Sequence, residues 1–136
     1  MQNDTDEKLA KRVIGLAMDV YNELGCGLLE SLYVGGLCVE LQRAAIPFER
    51  ERRFVVMYKG TEIGCYISDL VIENRLIVEA KAVDLLAVAH SVQLVNYLAI
   101  SKIELGLLLN FGPRKLEFKT KTRIHPGMPE PPHLHR

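Results

Sequence analysis

The fold is decided by residues 65–81, which read CYISDLVIENRLIVEAK. Two apolar runs of strand-forming residues flank a polar turn at residues 73–75, and this pattern predicts a β-hairpin whose apex is Asn74. Asp69 and Glu79 are equidistant from that apex. The hairpin therefore places them directly opposite each other on one face, with Cβ atoms roughly 5 Å apart.

Lys81 points to the same face as these two acids, because side chains alternate along a strand. Like charges directly opposite each other destabilise a sheet, and a divalent cation would resolve the conflict, since carboxylates are natural ligands of Mg²⁺. The alternative is a diagonal ion pair between Asp69 and Lys81, with Glu79 solvated. Spacing alone does not separate the two interpretations. The apolar surroundings favour the metal site, because a buried unpaired carboxylate is costly.

Composition and charge limit the class of protein. A chain of 136 residues with 49% hydrophobic and 25% charged residues is typical of one soluble globular domain. No apolar run approaches the roughly 20 residues of a membrane-spanning helix. The formal net charge of zero gives no general sign of nucleic-acid binding. The acidic start of the chain lacks the features of a signal peptide, so we expect a cytoplasmic protein.

The cysteines and the C-terminal segment carry little functional signal. Cys26, Cys38 and Cys65 are odd in number and widely spaced, so we expect buried or half-buried free thiols. Residues 1–124 are predicted to form a single domain. Residues 125–136 are rich in Pro and His and have little to bury, so we expect a disordered tail whose histidines are inert.

Periodicity predicts two helices before the first strand. Apolar residues recur at helical spacing over residues 6–24, and glycines at residues 25 and 27 end this helix. A second helix is predicted over residues 29–44. It contains Gly35 and Gly36, which are weak helix formers and therefore indicate close packing against another element.

The remainder of the domain alternates strands with one more helix. Asp84 is the predicted N-cap of that helix. The predicted elements are strands at residues 54–58, 62–72 and 76–81, a helix at 85–101, and strands at 104–111 and 115–122, the last at a sheet edge. The order α-α-β-β-β-α-β-β and the nearly continuous apolar strands predict an α/β (α+β) fold with a sheet covered on both faces.

Four further residues are considered for a site, although each has an ordinary explanation. Gln93 and Tyr97 lie one turn apart on the third helix and share a face, with His90 one turn earlier. Taken alone, Gln93 and His90 are better explained as exposed positions, and Tyr97 as packing on the sheet. Glu30 follows Gly27 in the first loop, where an acid in the first turn of a helix is stabilised by about 0.3–1 kcal/mol.

Together these residues resemble the GxxExxY family, small prokaryotic domains of the PD-(D/E)XK nuclease superfamily. The family motif is present as residues 27–33, GLLESLY. Other stretches that resemble the family are residues 58–60, the strand of Asp69, and residues 78–83, 93–98 and 106–112. The resemblance spans about residues 8–124, and the predicted order of elements agrees with a restriction-endonuclease-like mixed sheet flanked by helices.

The resemblance implies a metal-dependent phosphodiesterase and a role for each candidate residue. The implied site residues are Glu30, Asp69, Glu79, Ala80, Lys81, Gln93 and Tyr97. Asp69, Glu79 and the backbone carbonyl of Ala80 would hold Mg²⁺ or Mn²⁺, with Glu30 as an additional ligand or acceptor. Lys81 would orient the attacking water or offset charge on the phosphate. Gln93 and Tyr97 would position substrate or water.

Three functions remain open from the sequence. The first is a metal-dependent nuclease, acting on DNA in preference to RNA and possible as a homodimer. The second is a catalytically silent nucleic-acid-binding or assembly subunit, which the basic segment 114–123 favours. The third is a structural interaction protein in which Asp69, Glu79 and Lys81 form an ion-paired network.

Overall fold

A computed structural model describes residues 5–125 of the chain. The predicted disordered tail lies outside this range except for His125. The elements are helices α1 (Asp6–Leu24), α2 (Glu30–Arg43) and α3 (Val88–Ser101), and strands β1 (Phe48–Arg50), β2 (Arg53–Tyr58), β3 (Thr61–Ile67), β4 (Leu70–Ile72), β5 (Leu76–Lys81), β6 (Leu105–Phe111) and β7 (Leu116–Thr122). Within residues 5–125, no helix combines the length and apolar character needed to cross a membrane.

The strands form a five-stranded mixed sheet and a separate two-stranded sheet. The order of the large sheet is β1-β4-β5-β6-β7, and the small sheet consists of β2 and β3. Strands β5 and β6 are parallel and are connected through α3, whereas the other neighbouring strands are antiparallel. The predicted mixed α/β fold and the edge position of β7 are confirmed.

Two hydrophobic clusters lie on opposite faces of the large sheet. Helices α1 and α2 cover one face, where Val13 and Leu37 pack in a cluster with Val78 of β5. Helix α3 and the small sheet cover the other face, where Leu94 shares a cluster with Ile77 of β5. The central strands are buried on both faces, which explains why their sequences are apolar without alternation.

The predicted hairpin turn is confirmed. Strands β4 and β5 pair with Leu70 opposite Val78 and Ile72 opposite Leu76, a register centred on Asn74. Glu73 and Asn74 both have positive φ values, 52° and 56°. Short hairpin turns of this hand require positive φ, and they match the right-handed twist of the flanking strands.

The prediction of one continuous strand over residues 62–72 is wrong. The chain leaves one sheet at Ile67 and enters the other at Leu70, so Ser68 and Asp69 lie between strands β3 and β4. At this break the N–H of Ser68 donates to the carbonyl of Arg52 at 2.9 Å. An apolar run gives no information about which neighbour it pairs with, and here its first part pairs with β2. The short strand β1 was not predicted either.

The predicted start of the third helix is also wrong. Helix α3 begins at Val88 instead of residue 85, and its N-cap is Ala87 instead of Asp84. The N–H of Ala87 donates to Nδ1 of His90 at 3.0 Å, so the imidazole in the first turn of the helix satisfies the N–H of the N-cap residue. The two residues after Asp84 resemble a helix start in sequence, but they belong to the loop that links β5 to the helix.

Close helix packing at the paired glycines is confirmed at Gly36. A Cβ atom on this residue would lie 2.9 Å from Cγ1 of Val20, so only glycine allows α2 to approach α1 this closely.

The cysteines are free thiols. Cys38 is buried as expected, whereas Cys26 and Cys65 are exposed, which corrects the expectation for these two.

A second close approach generates a stability prediction. A Cβ atom on Gly106 of β6 would lie 2.8–3.0 Å from three side-chain atoms of Leu94 on α3. We expect Gly106→Ala to lower the free energy of unfolding by about 1–3 kcal/mol, because it overpacks the layer between α3 and the sheet. Urea denaturation measures this change.

Gly64→Ala is the matched control. Gly64 also lies in a strand, and a Cβ atom there meets nothing within 4 Å. We expect its free energy of unfolding to stay within about 1 kcal/mol of wild type, since Gly→Ala at an unstrained position mainly restricts the unfolded chain. Equal effects of the two substitutions would contradict the packing argument.

Candidate active site

The break between β3 and β4 brings Asp69 and Glu79 together. The N–H of Ala80 donates to Oδ2 of Asp69 at 2.8 Å, and the N–H of Asp69 donates to Oε2 of Glu79 at 3.3 Å. Each acid therefore accepts a backbone hydrogen bond from the segment that carries the other. Side chains replace the ladder hydrogen bonds that a continuous strand would have made, and the two carboxylates are held close to each other.

Glu79 is the electrostatically perturbed group of this pair. Its side chain lies within the sheet layer and the residue is only 8% exposed. Burial, followed by repulsion from Asp69, raises its pKa to about 8 from 4.5. Hydrogen bonds from Tyr66 and Asp69 and the charge of Lys81 act in the opposite direction. Burial thus dominates over the local donors, and the carboxyl group holds a proton more tightly than an ordinary glutamate.

Lys81 and Glu30 lie at the end of β5. Lys81 is half-buried and acts electrostatically on Glu79, as the alternation of the strand predicts. Glu30 opens α2 and is exposed. Its Oε2 accepts a hydrogen bond from the N–H of Ala82 at 3.3 Å, one residue after Lys81. Glu30 therefore approaches the same end of the strand from the helical layer.

Tyr66 is a site residue that the sequence analysis missed. It is buried in β3, and its hydroxyl donates to Oε2 of Glu79. Burial and the nearby Glu79 raise its pKa far above the ordinary value, so the hydroxyl stays protonated and acts as a donor. In a continuous strand, Tyr66 and Asp69 would point to opposite faces because they are three residues apart. The break at Ser68 removes that constraint.

Helix α3 contributes Tyr97 to the site. Its ring stacks on Tyr66 with centroids 3.6 Å apart and an angle of 9° between the planes. Burial and the charges of Glu79 and Asp69 raise the pKa of Tyr97. Gln93, one turn earlier, is exposed. His90 accepts a hydrogen bond from the N–H of the N-cap residue Ala87, so the structure gives it a structural role.

The Gly27–Tyr33 motif has a clear structural basis. The hydroxyl of Tyr33 donates to the carbonyl of Gly25 at 2.6 Å and accepts from the N–H of Leu28 at 3.2 Å. These bonds fix the loop that leads into Glu30. The ring of Tyr33 stacks on Phe111 of β6, with centroids 4.3 Å apart. The loop before Glu30 is thereby attached to the central sheet.

Asn110 secures the chain on the other side of Lys81. It is fully buried, its Oδ1 accepts from the N–H of Val83 at 2.9 Å, and its Nδ2 donates to the carbonyl of Val83 at 2.9 Å. Nδ2 also donates to Glu117 at 2.8 Å. The detectable signal in the sequence is a lone amide within an apolar strand. Asn110 thus continues the β5–β6 pairing after the backbone ladder ends.

The donor set is suited to a hard divalent cation. Asp69 Oδ2 and Glu79 Oε2 accept bonds from protein donors, whereas residues 5–125 provide no hydrogen bond to Asp69 Oδ1 or Glu79 Oε1. Oxygen ligands from one or two carboxylates suit Mg²⁺, which keeps several waters. Across the same part of the chain, no three His, Cys, Asp or Glu side chains are grouped to hold a metal. The fit therefore depends on the Asp69–Glu79 pair.

The mixed sheet thus holds Glu79 and Lys81 at the end of its central strand β5, with Asp69 beside them. The sequence profile of the PD-(D/E)XK nuclease superfamily matches residues 7–123, so the chain belongs to that superfamily. Its members are nucleases that act on nucleic acids and typically use divalent metal ions.

A similar fold is present in a solved structure. The crystal structure of SSO0001 matches with a TM-score of 0.58 and 20% sequence identity, over 87% of this chain and 61% of that chain. This chain thus spans about three fifths of the length of that protein, and the similarity concerns the fold. No curated protein matches this chain.

The raised pKa of Glu79 generates a prediction about stability in the absence of divalent ions. Its carboxyl group ionises near pH 4.5 when unfolded and near pH 8 when folded. Stability is therefore complete below about pH 4.5 and declines as the pH rises toward 8, because only the unfolded state releases the proton readily. We expect Glu79→Gln to be more stable than wild type at pH 8 in EDTA, by several kcal/mol in order of magnitude.

Denaturant unfolding in EDTA at several pH values measures this difference. Near pH 4.5 the variant and wild type should have similar stability, because the glutamine replaces a protonated carboxyl group of the same shape. Glu23→Gln, at an exposed position of α1, is the control and should follow the wild-type profile. Parallel profiles for wild type and Glu79→Gln would show that Glu79 is ionised normally.

Proposed function

We propose that this protein is a metal-dependent nuclease that hydrolyses phosphodiester bonds, in DNA rather than RNA, and that it belongs to the GxxExxY group of its superfamily. The observation that carries the proposal is the Asp69–Glu79 pair, held by reciprocal backbone hydrogen bonds next to Lys81. Structural ion pairing explains it less well, because no hydrogen bond or ion pair from Lys81 to either acid is present among residues 5–125.

Asp69, Glu79 and the carbonyl of Ala80 are the proposed ligands of Mg²⁺ or Mn²⁺. A bound divalent cation would lower the pKa of a coordinated water and offset negative charge on the phosphate. The protein holds the two carboxylates in place before any ligand arrives, since both accept hydrogen bonds from rigid backbone. This arrangement reduces the ordering that binding would otherwise require.

Lys81 is the proposed stabiliser of the reacting phosphate. It lies two residues after Glu79 on the same strand and is half-buried, so its ammonium group acts where solvent screening is reduced. A cation in this position stabilises the negative charge that develops on the phosphoryl oxygens. Lys81 would also orient the attacking water toward the phosphorus.

The residues around the acids would position substrate. Gln93 and Tyr97 would flank the site from α3. Glu30 acts as an additional ligand or acceptor from α2. Beside Glu30 lies an open groove of about 390 Å³, which is lined by Leu28, Leu29, Glu30, Ser31 and Ala82. A nucleic-acid strand in this groove would lie beside Glu30 and Ala82, next to the end of β5.

The first functional prediction concerns cleavage. We expect Asp69→Ala and Lys81→Ala to abolish cleavage of DNA in Mg²⁺, because each removes a charge needed in the transition state, while both variants remain folded. Gel-based cleavage with circular dichroism as the folding check measures this. Asp19→Ala and Lys11→Ala are controls at exposed positions of α1 and should cleave as wild type. Unchanged cleavage by both site variants would refute the assignment.

The second functional prediction concerns metal binding itself. Wild-type protein should bind Mn²⁺ in isothermal titration, and Asp69→Asn should reduce the affinity by at least about tenfold, since it removes one of two anionic ligands. Asp19→Asn is the matched control. Absence of Mn²⁺ binding at millimolar concentration would favour a structural ion-paired network instead.

A catalytically silent binding subunit is the second candidate function. Strand β7 is an open edge of the large sheet and carries exposed Lys119, with Arg114 and Lys115 in the preceding turn. Salt-sensitive DNA binding without cleavage in Mg²⁺ would support this function.

Homodimer formation, which we also propose, is supported by exposed Val55, Met57 and Ile67 on the small sheet. Light scattering after gel filtration tests it.

A further inference from the structure

We infer that Tyr66 is a positioning residue, whose hydroxyl fixes the orientation of the Glu79 carboxylate for metal binding. This inference rests on the proposed function. It assigns to Tyr66 the role of selecting which oxygen of Glu79 faces a cation. The role depends on the hydrogen bond from the Tyr66 hydroxyl to Glu79 and on the packing that holds the Tyr66 ring in place, and both are present.

The hydrogen bonds to Glu79 are asymmetric. The hydroxyl of Tyr66 and the N–H of Asp69 both donate to Oε2 of Glu79. Within residues 5–125, Oε1 receives no hydrogen bond. Two donors on one oxygen fix the plane of the carboxylate and leave the other oxygen for a cation. Hydrogen-bonded partners of this kind orient metal ligands and tune their affinity.

The ring of Tyr66 is held by aromatic neighbours on both sides. Tyr97 of α3 stacks on one side at 3.6 Å between centroids, and Phe54 of β2 stacks at 5.7 Å with 13° between the planes. The guanidinium of Arg52 lies 4.7 Å from the centre of the Phe54 ring. This ladder of four side chains reaches from the small sheet to α3. Tyr66 is only 5% exposed, so these neighbours and the core enclose its ring.

The ladder makes Glu79 dependent on two elements outside its own sheet. Strand β3 supplies the hydroxyl, and α3 supplies the ring that prevents its displacement. Without the hydroxyl, Glu79 would keep only the longer bond from Asp69, at 3.3 Å. The side chain could then occupy several rotamers, and metal binding would have to order it.

Tyr66→Phe is the decisive variant, because it removes the hydroxyl and keeps the stacked ring. We expect its affinity for Mn²⁺, measured by isothermal titration, to fall by about tenfold or more. In cleavage assays we expect the variant to need a higher Mn²⁺ concentration than wild type for half-maximal cleavage, with KM for DNA unchanged. Crystal structures of the metal-free wild type and variant should show the Glu79 carboxylate fixed in the first and rotated in the second.

Tyr58→Phe is the matched control. Tyr58 is an exposed tyrosine of the same small sheet, and its substitution should leave Mn²⁺ affinity and the Glu79 conformer unchanged. Thermal unfolding of both variants establishes that they are folded at the assay temperature. A general structural effect would lower the unfolding temperature without altering the Mn²⁺ affinity of the folded protein, and this result would overturn the inference.

The outcomes separate this inference from the proposed function. If wild type binds Mn²⁺ and cleaves DNA, and Tyr66→Phe does both equally well, the positioning role is refuted and the nuclease assignment stands. If wild type neither binds Mn²⁺ nor cleaves DNA, both are refuted. If only the variant loses affinity, and its crystal structure shows a rotated Glu79, the positioning role is supported.

Discussion

The burial of the Glu79 carboxylate beside Asp69 is the constraint on which the arrangement of the site depends. A sheet covered by helices on one face and by α3 and a second sheet on the other has few donors for a charged group. The structure provides a backbone N–H, a tyrosine hydroxyl and a nearby lysine, yet burial still raises the pKa of Glu79 to about 8. A protein that keeps such a group retains a destabilising feature, which agrees with function more readily than with packing.

The elements around this carboxylate are connected through residues 110–112, at the end of β6 and just after it. Asn110 holds Val83 after Lys81, and Phe111 stacks on Tyr33, whose hydroxyl orders the loop before Glu30. Gly112 accepts a hydrogen bond from the hydroxyl of Tyr21 at 2.5 Å. Three consecutive residues therefore connect the end of β5 with both N-terminal helices, and the mutual positions of Glu30 and Lys81 follow from one short segment.

The sequence alone predicts the hairpin turn at Asn74 correctly. It does not predict that the first strand of this hairpin is divided into β3 and β4. The register of the β4–β5 hairpin followed from a local turn with apolar residues at matched distances, although Asp69 lies just before β4 and not in the paired strand. The position of Lys81 followed from alternation. Tyr66 could not be found in this way, because alternation in an unbroken strand directs it away from Asp69. The predicted start of α3 is wrong because Asp84 has the residue type of an N-cap. The loop after β5 is instead held by Asn110, which is 26 positions further along the chain and bonds the backbone of Val83.

The parallel pairing of β5 with β6 also has a consequence for how the protein is made. Helices α1 and α2, the β2–β3 hairpin and the β4–β5 hairpin each consist of neighbouring segments. They can form while synthesis continues. Strand β5, which carries Glu79 and Lys81, gains its parallel neighbour only after α3 and β6 have been synthesised, up to Phe111. Such non-local pairing is slow to form. A partly synthesised chain therefore carries Asp69 and Glu79 before the sheet that orders them is complete.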